Sequence, residues 1–135
     1  MRYRKILKTI ALVLVSPLVF GGAAVDAPVE VDADVGIAFG NMTSARFSDN
    51  DVERIGCGVR YNSDGVGGVF AFGFCQAVDA AEVSLFCSTT NLELIEAIRS
   101  IADHSFITFG VDEDGECTRI GNSTQSIYLP DKKAK

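Results

Sequence analysis

The amino-acid sequence predicts an α+β domain: a mostly antiparallel β-sheet with one α-helix packed on it and two disulfides. Three observations predict it. Two alternating segments flank a turn rich in Asn, Asp and Gly at Asn62–Gly68. An apolar stripe of helical period follows them. Four cysteines stand far apart in a chain that opens like an export signal.

The opening comes first. Arg2, Arg4, Lys5 and Lys8 make a positive start, Ile10 to Phe20 is mostly apolar, and Gly21, Gly22, Ala23 and Ala24 are small. These are the three parts of a secretory signal. A transmembrane span needs about 20 apolar residues, and this run is about a dozen with Pro17 inside it. Residues 1–24 are therefore expected to be removed. The cut is expected after Ala24 rather than after Ala27, because Pro28 would follow the second site. No cysteine lies near the exit for a lipid anchor.

Cleavage removes four of the twelve cations and none of the eighteen acids, leaving a formal charge of −10. Nucleic acid and anionic membrane surfaces repel such a chain, so neither is expected as a partner. The export route also fixes the state of the cysteines. Cys57, Cys75, Cys87 and Cys117 are separated by 18, 12 and 30 residues. Zinc sites use close ligand pairs and catalytic dithiols sit close together, so disulfides are expected in a periplasmic or secreted protein.

Residues 25–44 mix small apolar and acidic residues and read as a flexible N-terminal arm, with an edge strand near Val35 to Phe39. The domain proper is expected over 45–130, with 131–135 as a polar tail. Val52 to Tyr61 reads as a strand with Ile55, Cys57, Val59 and Tyr61 on one face. Asn62 to Gly68 reverses the chain, and Val69 to Val78 returns. A fold about Val66 sets Cys57 opposite Cys75, Val59 opposite Gly73 and Gly58 opposite Phe74. Cys57–Cys75 is thus the first expected disulfide, and Cys87–Cys117 is the remaining pair.

Glu82 to Cys87 reads as a third strand. Thr90 to Glu93 fits a capping box with Thr90 as N-cap. Leu94, Ile95, Ile98, Ile101 and Ala102 form the helical stripe, with Glu93, Glu96, Arg99 and Asp103 on the wet face. Ser105 to Val111 and Glu116 to Gly121 read as strands about the turn Asp112–Gly115. Asn122 to Gln125 turns again, and Ser126 to Leu129 reads as a last strand. Phe70, Phe72, Phe74, Phe86, Phe106, Phe109 and the helix isoleucines are expected to fill the core. A chain of this size buries about two-thirds of its unfolded surface.

Several segments carry a resemblance: Ser44–Ser48, Ile55–Cys57, Cys87–Asn91, Ser105–Phe109 and Asp112–Cys117. Over about residues 40 to 130 the chain resembles a family of small exported bacterial proteins of unknown function with four cysteines in this layout. The resemblance implies export and a shared fold, and it implies no activity.

No catalytic, metal or cofactor set emerges. His104 is the only histidine and lacks a nucleophile or second acid beside it in sequence, so it reads as structural near the helix C-terminus. Asp112, Asp114 and Glu116 are too short a run for a calcium loop and read as a turn. Gly65–Gly68 has no Lys or helix start after it for phosphate. Asp49, Asp51, Glu53, Asp112 and Glu116 could hold a carboxylate pair for glycoside hydrolysis, the enzyme alternative. Arg46 and Phe47, within Ser44–Ser48, are the candidate binding surface. The plain reading is preferred there: an early strand with Arg46 paired to an acid, the usual fate of a surface charge. The leading expectation is a non-catalytic binding module with an unknown protein or small-molecule partner. An inhibitor of a cationic hydrolase such as lysozyme is the second, on charge grounds.

Overall fold

A computed structural model describes residues 22–130. Most of the signal segment 1–24 and the whole tail 131–135 lie outside the described residues.

The long hairpin forms as the sequence dictates. β3 (Arg54–Ser63) pairs antiparallel with β4 (Val69–Val78), with Cys57 opposite Cys75, Gly58 opposite Phe74 and Val59 opposite Gly73. The reversal relies on Gly65 and Gly67, at φ +81° and +100°, where only glycine is at ease. β5 (Ser84–Thr89) adds to the other edge of β4, which completes a three-stranded sheet in the order β3-β4-β5. It starts later than expected, because Glu82 turns at φ +64° and Asp79 Oδ1 accepts from the Ala81 and Val83 amides.

The N-terminal segment corrects the sequence reading. Residues 25–44 are not a free arm. β1 (Glu30–Asp32) and β2 (Ile37–Asn41) form a hairpin. β2 is an interior strand, paired on its other side with β6 (Phe106–Val111). β7 (Cys117–Ser123) completes a second, four-stranded sheet in the order β1-β2-β6-β7. Val29 is buried, so this segment belongs to the domain core. The strands are thus mostly antiparallel, as expected, but divide between two sheets.

Two helices occur among the described residues. α1 (Met42–Arg46) has only five residues and was not expected. α2 (Leu92–Arg99) is the main one. Its N-cap is Asn91 rather than Thr90, because Asn91 Oδ1 accepts from the Glu93 and Leu94 amides at 2.9 and 3.2 Å. It stops at Arg99, with Ser100 as cap, so Ile101 and Ala102 fall beyond it. β7 runs on through Asn122 and Ser123, and Ser126–Tyr128 is a 3-10 turn instead of a strand.

Both disulfides pair as expected, Cys57–Cys75 and Cys87–Cys117. They have different jobs. Cys57–Cys75 joins neighbouring strands of one sheet. Cys87–Cys117 joins β5 to β7 and so fastens the two sheets together. A parallel bridge between Ser88 and Glu116 and the Ser88 N–H to Gly115 carbonyl bond reinforce that seam. The Sγ atoms of Cys75, Cys87 and Cys117 lie within 4.8 Å of one another, which brings the two disulfides close together.

The phenylalanine core is also corrected. Phe109 is fully buried, but Phe70 and Phe86 are 51% and 56% exposed. β4 turns Ala71, Gly73, Cys75 and Ala77 inward and Phe70, Phe72 and Phe74 outward. The inward side chains are small because Ile95 and Ile98 of α2 fill the space above Gly73.

Candidate functional site

The candidate binding residues Arg46 and Phe47 sit at the end of α1, and the local sequence explains their placement. Asn41 is buried, and its Oδ1 accepts from the Thr43 and Ser44 amides at 2.7 and 3.0 Å, which starts the helix. Its Nδ2 donates to the His104 carbonyl. Phe47 closes the helix by donating its N–H to the Thr43 carbonyl. The early strand preferred from the sequence is therefore corrected to a short helix. Arg46 also finds no acid: the only ion pair among the described residues is Arg99–Glu96.

The loop after α1 is built from its own polar groups. Asn50 Oδ1 accepts from the Val52 and Glu53 amides, and Asn50 Nδ2 donates to Glu53 Oε2. Glu53 Oε1 accepts from the Val29 amide at 3.0 Å, tying this loop to the N-terminal segment. The carboxylate of Glu53 is thus committed to structure.

These elements leave two adjoining clefts. The first, about 770 Å³, is bounded by α1, the start of β3 and the turn after α2; Met42, Arg46, Phe47, Arg54 and His104 line it. The second, about 560 Å³, lies towards the N-terminal segment and the 3-10 turn. Phe47 borders both and is 64% exposed. Such volumes suit a small molecule or a short peptide segment.

His104 lines the first cleft at φ +63°, a left-handed backbone held by the Asn41 bond and by a 2.9 Å contact from its Nδ1 to Thr43 Oγ1. It therefore caps α1's neighbourhood rather than the end of α2.

The other candidates separate in space. Asp112 Oδ1 accepts from the Asp114 and Glu116 amides, so that stretch is a hairpin turn. Asp64 does the same for Val66 and Gly68, and these amide donors hold its carboxyl below the ordinary 3.8. Of the five carboxylates considered for hydrolysis, Asp51 and Glu53 line the first cleft, Asp49 and Glu53 line the second, and Asp112 and Glu116 line neither.

One surface was missed from sequence. The outer face of β3-β4-β5 carries Phe70, Phe72, Phe74 and Phe86, with ring centroids 6.3 Å apart for Phe72–Phe74 and 6.2 Å for Phe74–Phe86. The Arg60 guanidinium lies 5.2 Å over the Phe74 ring. The alternation of β4 was the available signal, but alternation alone does not say which face is inward.

No family model, no curated protein and no solved structure matches the chain.

Proposed function

We propose that the protein is an exported, non-catalytic binding module that takes its ligand in the clefts around Phe47. The observation that carries this reading is Phe47 itself. A large apolar side chain is held in solvent, between two clefts, on a short helix fixed at its base by the buried Asn41. Leaving such a ring exposed on a rigid mount costs burial that a partner would recover. Arg46 beside it lacks an ion pair among the described residues. The ligand class that fits is a small amphiphile with an apolar body for Phe47 and Met42 and an anionic group for Arg46.

Export rests on the opening segment, on the resemblance to exported four-cysteine proteins, and on the two disulfides, which suit an oxidising compartment. No helix among the described residues is long and apolar enough to cross a membrane. Hydrogen bonding favours processing after Ala24. The Val25 N–H donates to the Ile127 carbonyl at 3.0 Å, and the Ala27 carbonyl accepts from the Asn41 N–H at 2.9 Å. A cut after Ala27 would strip the acceptor from the amide of a buried residue.

A ligand-observed NMR screen of small aliphatic and aromatic carboxylates against the mature protein tests the reading. Hits that Phe47→Ser or Arg46→Ala weakens tenfold or more support it. An absence of hits, or hits indifferent to both substitutions, contradicts it.

A further inference from the structure

We infer that the outer face of β3-β4-β5 is a second, separate interaction surface, whose occupant is a protein partner presenting carboxylates around an apolar centre. The two sheets treat their outer faces differently. On the four-stranded sheet, Phe39 and Phe106 pair and Tyr128 of the 3-10 turn stacks on Phe106 with centroids 5.6 Å apart, so the aromatic residues there are covered from within the chain. On the three-stranded sheet no other part of the chain caps the row: Phe70 and Phe86 are each more than half exposed, with Phe72 and Phe74 half-buried beside them.

The composition of the face names the partner. The chain has eighteen Asp and Glu, yet none occupies an outward position of these three strands. The charge there is Arg60 of β3, over the Phe74 ring, whereas Arg54 at the start of the strand lines the first cleft. Aromatic residues and arginine enriched, acids absent, is the composition of a protein–protein interface core. Charge complementarity then requires acids on the other side. A second copy of this chain fits poorly, because a two-fold contact sets the same patch against itself and this patch offers no acid to answer Arg60. Two side-chain positions keep the platform low. Gly56 faces outward with open space above it, and the Phe74 ring lies across Gly58, where a Cβ would come within 2.9 Å of the ring. β3 is also an edge strand of its sheet, open to main-chain pairing by an extended segment.

The test is selection of a displayed random dodecapeptide library on the mature, disulfide-bonded protein, followed by fluorescence anisotropy with the selected peptides. The expected winners carry Asp or Glu flanking aromatic or aliphatic residues. Arg60→Glu and Phe86→Ser are each expected to weaken them at least tenfold, with circular dichroism unchanged, while Phe47→Ser leaves them intact. That last variant separates this surface from the clefts, so either proposal can fail alone. No enrichment, enrichment of basic peptides, or affinity indifferent to Arg60→Glu and Phe86→Ser overturns the inference. So does sedimentation of the wild type as a dimer that Phe86→Ser dissociates, and so does co-sedimentation with phosphatidylglycerol vesicles that Phe86→Ser abolishes.

Discussion

Gly73 is the seat of Ile98: a Cβ built on Gly73 would lie 2.5 Å from Ile98 Cδ1 and 3.4 Å from Ile95 Cγ1. The missing side chain on β4 is what lets α2 settle onto the sheet. Gly73→Ala is therefore expected to destabilise the domain by about 1–3 kcal/mol through overpacking. Trimming the neighbour should return part of the loss, so Gly73→Ala with Ile98→Val should be less unstable than the two single effects summed. Urea unfolding of the four proteins in a double-mutant cycle measures this.

Cys87–Cys117 closes the longer loop and joins the two sheets, whereas Cys57–Cys75 lies within one. Replacing either pair by alanine is expected to cost about 2–4 kcal/mol. On loop length alone the Cys87→Ala/Cys117→Ala protein should lose about 0.5 kcal/mol more, and loss of the seam should widen that gap. Equilibrium urea curves of the two double variants give the comparison.

Asn41 is buried and serves three groups at once: the Thr43 amide, the Ser44 amide and the His104 carbonyl. Asn41→Ala is expected to cost about 2–3 kcal/mol, from the lost cap and the stranded donors. It should also release the turn at His104, visible as faster amide exchange at Thr43, Ser44 and His104, while the β3-β4 hairpin keeps its protection.

Asp64 accepts the Val66 and Gly68 amides as a carboxylate, and those bonds depress its titration below the ordinary 3.8. A depressed folded value means that the turn is favoured above the ordinary value. That support is lost as pH falls through the lower one. NMR should show the Val66 and Gly68 amide shifts titrating together below pH 3.8, and Asp64→Asn should abolish that common transition.

Much of the β3-β4 unit was legible in sequence. A period of two on each side of Asn62–Gly68, with Gly65 and Gly67 to take positive φ, fixes the register, and the register fixes Cys57 against Cys75. The stripe of α2 was legible for a similar reason, although its cap was displaced by one residue because Asn91, not Thr90, faces the free amides. The N-terminal strands were not legible. Ala38 and Gly40 have little intrinsic strand preference, and β2 exists because β1 and β6 pair with it on both sides. α1 is too short to show a period and depends on one buried side chain. The inward face of β4 was misassigned because its larger residues point out. Only the docked helix reveals that glycine, alanine and cysteine are the ones that fit. The clefts gather residues 42–47, 50–55 and 103–104, a proximity that no local pattern records.

The most direct test of the account is one intact-mass and thiol determination on the protein made with its own leader in an exporting cell and denatured without reductant. The account predicts a chain beginning at Val25, no thiol available to alkylation, and four thiols after reduction. A chain beginning at Met1 with four reactive thiols before reduction would contradict it.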